Sequence, residues 1–515
     1  MAAVVACGCG PSTFVDVRFD ADADLAERAR RLELRVRDEA GRVVFEQARS
    51  VGLGAAPLPV AIRLAQGGDG ENAFFLEAIL RGAETEELGR IEARAAYLPG
   101  VPARLDLRFQ SGCAAAACAE GLTCHGGECV GACYAARPAT EAAEAATPVS
   151  CVRAPPVYVH PADGRDHPEA CTDPASPCAS LTYAVDRYVE RGEGTVIHAR
   201  GGLVHRGPLT LTAAHSGSPA APTVIRAWPE GSRPVLSGDG VGPAARFCCD
   251  DSAPHDVRLE GFQIVETAGA GVSVSGAGAR RVVLSDLHVE PVGRADDSPL
   301  VIGIQVERGA AEVSVEGCVI DGGDDDQLRI GLSATDTEAT IFERNDVIGE
   351  TEIGVELLAG RGVLVRGNRI DDAYTGLEVR GTAHRIVDNW ICDARVGLEV
   401  DLSEGMVVEH NSFVDSHRGA SFGGRAVGGS FRSNIVAFIQ SRALSLPWSF
   451  ERIELRESHN LYYEIGSFFP DELEPTEAIV GRDPLFRAVD ACDLVLEPSS
   501  PARGAAHDGE DIGAR

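Results

Sequence analysis

Three glutamates recur at one position of a repeated four-residue pattern, in GVEL (354–357), GLEV (376–379) and GLEV (397–400). They are Glu356, Glu378 and Glu399, and the alternation of apolar and polar residues around them has the two-residue period of a β-strand. That period turns Leu377 and Val379 inward and Gly376, Glu378 and Arg380 outward. Gln305, Ser333 and Ser421 hold the same place in neighbouring copies, and Asp401 follows Glu399 on its own strand. If the copies stack as strands do, the carboxylates lie ~5 Å apart and repel by roughly 1 kcal/mol or more each. Such a column calls for a cation, a bridging arginine or a shared proton. Calcium takes carboxylate oxygens readily, so Glu356, Glu378 and Glu399 are candidate calcium ligands. The acidic run Asp324, Asp325 and Asp326 joins them as candidates, and GRADDSP (293–299) is a second acidic loop of the same kind. The competing reading is a solvated polar face on which Arg380 softens the repulsion.

Composition narrows the chemistry. The formal net charge is −31, which argues against nucleic acid and anionic lipid surfaces as partners. Every one of the 47 basic residues is arginine, so no lysine can act as base or Schiff-base former. If the groove catalysed proton abstraction, the base would have to be Arg380 or Arg329, and arginine gives up its proton only with strong help. PHD at 254–256 sits at an ordinary strand entry and reads as structural. His198, His205 and His215 are scattered through early strands and read as surface or turn residues, not a metal set.

The elements that would carry the column are repeats. Asn345, Asn368, Asn389, Asn411, Asn434 and Asn460 fall at spacings of 21 to 26 residues, and Phe262, Leu287 and Cys318 hold that place upstream. The glycine opening each strand forms a second column at 271, 303, 331, 354, 376, 397 and 419, with Ala443 after it. A period of about 22 with three short β-runs predicts a solenoid. Stacked asparagines can hydrogen-bond along its axis, and Asn suits a turn with a left-handed residue.

These columns, the opening CASLTYAVDRYVERGEGTVIHARGG and the closing DPLF…DIGA resemble the right-handed parallel β-helix, or pectin-lyase-like, family of secreted bacterial surface proteins. The resemblance covers roughly 155–515. It implies a capping helix near 179–190, with Ser180 available to cap it, a buried Asn ladder, and a ligand groove along the Gly-led strands. The fold hosts lyases, hydrolases, epimerases, adhesins and stalks alike. Of the hydrolase motifs of this family only the acidic run at 324–326 has an echo, so no complete catalytic set is expected.

The rest of the chain is different in kind. Seven alternating runs between 13 and 110 predict a small antiparallel β-sandwich, with one helical temptation at 21–33. Residues 111–154 hold Cys113, Cys118, Cys124, Cys129, Cys133 and Cys151 in a module that resembles small Cys-rich units of secreted bacterial surface proteins. Cys171 and Cys178 flank a Pro-rich loop beyond it. The spacing lacks the paired CxxC knuckles of zinc sites, so disulfides and an oxidising compartment are expected, with the pairing left open. Residues 1–12 lack the basic start and ~7–15-residue apolar core of a signal peptide, but VVAC ending at Cys7 resembles the end of a bacterial lipoprotein signal. An export signal upstream and a lipid anchor on Cys7 are therefore expected. The whole is read as an all-β, exported surface protein whose solenoid binds a polysaccharide or an extracellular matrix component, with calcium as an option. A polysaccharide lyase and a bare structural stalk are the rival readings.

Overall fold

The computed structural model describes residues 14–514 apart from 38–42, 53–57, 66–72, 84–85, 97–102, 114–117, 119–121, 126–127, 132, 135–136, 139–147, 150–155, 190–193, 219–220, 230–231, 250–252, 291–301, 324–327, 424–426, 447–454 and 470–473. The chain forms two compact units, one made essentially of the residues up to Ala154 and one from Pro155 onward. Among the described residues no helix is long and apolar enough to cross a membrane.

The first unit is built from β1 (Phe14–Ala21), β2 (Arg31–Arg37), β3 (Val43–Ser50), β4 (Val60–Ala65), β5 (Ala73–Arg81), β6 (Glu87–Ala96) and β7 (Ala103–Phe109). Alternate residues of each inner face, among them Val15, Val17, Phe19, Leu32, Leu34, Leu76, Leu105 and Leu107, fill one core. One sheet runs β7-β1-β4 and the other β6-β5-β2-β3. The sandwich is not wholly antiparallel, because β1 and β7 pair in parallel. These are the first and last of the seven strands, joined through the opposite sheet and not by a hairpin. The charged stretch at 21–33 forms only a short helix, α1 (Ala23–Arg28), and Arg31 already belongs to β2.

The Cys-rich segment adds to this unit. Cys133–Tyr134 extends the β6 edge and Arg137–Pro138 the β7 edge, and Tyr134 is buried in the sandwich core. Cys113 pairs with Cys124 and Cys118 with Cys129. The Cys133 side chain, Cys151, Cys7 and the rest of the first twelve residues lie outside the described residues.

The second unit opens with α2 (Leu181–Tyr188). Ser180 caps it by accepting the Tyr183 N–H at 3.2 Å, while Leu181, Ala184 and Val185 face the first coils. The Cys171–Cys178 disulfide closes the loop before it. Beyond lies a parallel solenoid. The strands that precede the Asn turn make a 12-stranded sheet; the short strands after the turn and the Gly-led strands share a 20-stranded one. Near the C-terminus these last two fuse, as in Ser412–Phe422 and Ile435–Ser445.

The Asn turn has a simple rule. The left-handed residue is the one before each asparagine, not the asparagine itself. Gly261, Asp286, Gly317, Arg344, Gly367, Asp388, His410, Ser433 and His459 all have φ between 50° and 76°. That conformation turns the chain sharply and drives the next side chain inward, where Asn345, Asn368, Asn389, Asn411, Asn434 and Asn460 are essentially inaccessible. Phe262, Leu287 and Cys318 fill the same place in the earlier coils.

The Gly column also differs from the alternation rule. Gly376 does not face solvent. A Cβ there would lie 2.6 Å from Ile391 Cγ2 and 2.7 Å from the Gly397 carbonyl oxygen, and Gly354 meets Ile370 and Gly376 in the same way. The strand bends at this residue, so a position of outward parity is pressed against the next coil and admits only hydrogen.

Candidate functional site

The Gly-led strands place the three glutamates in register. Ser273, Gln305, Ser333, Glu356, Glu378, Glu399 and Ser421 pair successively as Cα partners up the sheet. The column is neither bare nor uniformly solvated. Ser333 donates its hydroxyl to Glu356 at 2.9 Å, and Arg380 pairs with Glu378 at 2.9 Å. Burial pushes the Glu378 carboxyl above its ordinary range; Arg380 pulls it back, and Glu356, Glu399 and Glu352 push it up again. Asp401 is half-buried further along the strand of Glu399.

The same strands begin upstream of the glycine, and there the sequence reading stopped short. Residues two before each Gly form a second outward column, in which Arg329, Glu352, Tyr374, Arg395 and His417 follow one another. Arg329 and Glu352 form an ion pair, and the Arg395 guanidinium lies 5.0 Å from the centre of the Tyr374 ring. Tyr374 is 52% exposed. A recess of about 570 Å³ is lined by Leu328, Arg329, Thr351, Glu352 and Tyr374. The signal that could have found this column is the alternation D-A-Y-T-G itself, once the strand is allowed to run through the glycine.

Both candidate arginines are held in ion pairs: the hydrogen bond and charge of Glu352 hold the Arg329 guanidinium above its ordinary range, and Arg380 is engaged by Glu378. Glu356, Glu378 and Glu399 fall one per coil along the sheet. Among the described residues, the group of three or more Asp, Glu, His or Cys whose ligand atoms lie within 4.8 Å of one another is His410, His507 and Asp508. Asp324, Asp325, Asp326 and the loop 293–299 lie outside the described residues.

The remaining singled-out residues are structural. Asp256, with φ 55° and 3% exposed, takes both arms of Arg281 at 2.7 and 2.9 Å and a contact from His255 at 2.8 Å. His198 stacks on Tyr158, His205 contacts the Arg200 carbonyl at 3.0 Å, and His215 accepts the Thr212 N–H at 3.0 Å. Burial lowers the pKa of all three.

Residues 301–437 match the family model described as "Right handed beta helix region". The parallel solenoid fits the right-handed parallel β-helix, or pectin-lyase-like, family. No curated protein matches the chain by sequence. Among solved structures, this β-helix protein is similar to one described as "The complex structure of XylC with xylose", at 12% identity and a TM-score of 0.44, over 64% of this chain and 86% of that one.

Proposed function

We propose that this β-helix protein is exported and surface-attached, and that its Gly-led face binds an extended glycan without cleaving it. The observation that carries the reading is the exposed Tyr374 ring beside a row of in-register carboxylates. An aromatic face packs against the apolar face of a sugar, and partly buried Glu356 and Glu378 offer acceptors to its hydroxyls. Coils recur ~4.8 Å apart, close to the length of one sugar unit, so one residue of the glycan would meet each coil. The negative face favours a neutral or amino-bearing glycan over a polyanion. Disulfides such as Cys113–Cys124 and Cys392–Cys492 fit an oxidising compartment, and lipidation at Cys7 would supply the attachment.

The test is retention of the intact protein on a panel of immobilised polysaccharides. Tyr374→Ala should lower affinity at least tenfold on the glycan retained by the wild type, with no unsaturated or reducing ends released. Release of such ends would favour the lyase reading. Loss of retention in a chelator would show that calcium bridges Glu356 and Glu378 to the ligand. Retention of nothing, with Tyr374→Ala and Glu378→Gln both indistinguishable from wild type, would leave a structural stalk.

A further inference from the structure

The C-terminal tail crosses the Asn turns of the last coils. Ile512 is buried with Ile435 and Leu461, the Gly513 N–H donates to the Ser433 carbonyl at 2.9 Å, and the Ala514 N–H donates to Ser412 Oγ at 3.1 Å. This docking is independent of any ion. It brings His507 and Asp508, nearly a hundred residues downstream, onto His410, the left-handed residue of one turn.

Three features make the junction more than a contact. The His410 ring is only 5% exposed and its Nδ1 lies 3.1 Å from the Asp511 carbonyl oxygen. Nδ1 must carry the proton to make that bond, so the lone pair of a neutral ring sits on Nε2. Nε2 faces Asp508 Oδ2 at 3.2 Å. An imidazole lone pair aimed at a carboxylate is stable only with a cation between them, either a proton or a metal. His507 completes the set: its ring centre is 5.7 Å from that of His410, and its Nδ1 lies 2.8 Å from Ser433 Oγ, which can hold the ring as an outer partner does.

We propose that His410, His507 and Asp508 form a zinc site that staples the C-terminal tail to the solenoid. Two imidazole nitrogens and one carboxylate oxygen suit zinc, with the exposed side of Asp508 leaving a fourth position to water. Hard cations such as calcium would want oxygens instead. The ligand atoms lie within 4.8 Å of one another, close enough for side-chain adjustment to bring them to a common ion at bonds of ~2.0–2.2 Å.

The experiment uses the full chain, stripped with chelator and titrated with zinc against a chromophoric competitor. One zinc per chain is expected, abolished in His410→Ala and in His507→Ala and weakened about 10–100-fold in Ser433→Ala. His459→Ala, two turns from His410, should keep it, because that ring lies 6.2 Å from the His507 ring but supplies no atom to the cluster. Because His410→Ala removes a buried ring, a second reading is taken on the wild type: zinc should shift the imidazole resonances of His410 and His507 together. Zinc that fails to bind, or binds equally to both His→Ala variants, or leaves those resonances unmoved, would overturn the proposal and leave a proton-mediated His410–Asp508 pair.

Discussion

Asn368 Oδ1 accepts two hydrogen bonds from Asn345, one from its backbone N–H and one from its side-chain amide, each at 2.9 Å. The same pair of hydrogen bonds repeats from Asn368 to Asn389, Asn389 to Asn411, Asn411 to Asn434 and Asn434 to Asn460. Each amide also donates to a carbonyl of the strand below, as Asn368 does to Phe342. Asn368→Ala therefore orphans two buried donors of Asn345 and one carbonyl. At about 1–3 kcal/mol per unsatisfied group, a loss of about 3–5 kcal/mol is expected, read by urea unfolding. Asn368→Asp should also destabilise, since it keeps the acceptor and loses the donor.

Gly376 should tolerate no side chain. Its missing Cβ faces Ile391 Cγ2 and the Gly397 oxygen at under 3 Å, and overpacking of that kind costs about 1–3 kcal/mol. Gly376→Ala should lower the melting temperature, and Ile391→Ala, which removes Cγ2, should cost less in the Gly376→Ala background than in the wild type. Ala443 takes the glycine's place where its own strand shifts register against the next coil, between Arg442 and Leu444.

The Glu378 carboxyl should make the protein less stable as pH rises. Its folded pKa is raised, chiefly by burial, so the native state holds that proton more tightly than the unfolded chain. The contribution is fully present below the unfolded value of about 4.3 and disappears as pH passes the folded one. Glu378→Gln should match the wild type in acid and melt at or above it near neutrality. A Glu378→Gln protein that melts lower at neutral pH would show that the Arg380 pair outweighs the burial.

Asp256 should behave in the opposite way. Burial alone would raise its pKa, but the hydrogen bonds of Arg281 and His255 prevail and lower it. Its contribution is therefore present above the ordinary carboxylate range and is lost as pH falls through the lowered value. Arg281→Ala leaves a buried carboxylate without its partner, at a cost of about 3–5 kcal/mol near neutrality. That deficit should shrink in acid, which thermal melts across pH would record.

Cys392 and Cys492 join strand 390–392 to the tail across a sequence separation of 100. Replacing both with serine should cost about 2–4 kcal/mol and raise amide exchange in residues 486–496 first. Equal protection there in the two proteins would show that Leu494, packed with Val414, anchors the tail alone.

Periodicity made much of this legible from residues alone. The ladder from Asn345 to Asn460 and the strand register of Glu356, Glu378 and Glu399 follow from spacing, because a solenoid repeats local structure and contacts only its neighbours. Strand parity was less reliable where the chain bends. Gly376 was misread because it is buried where alternation places it outward, and Tyr374 was missed because the strand, taken to open at the glycine, begins at Ala373.

The sequence by itself determined the solenoid, its inward ladder and the in-register carboxylates, since each rests on a spacing of about one coil. Only the tertiary structure decided that Arg329 is neutralised by Glu352, that Tyr374 stands beside the acidic column, and that Cys492 and His507 return to Cys392 and His410. Those are contacts between residues far apart in the chain or on different coils, and no local pattern encodes them. They depend on where the tail lies down, which is settled by the burial of Ile512 and Leu494 and not by the spacing of the residues it brings together.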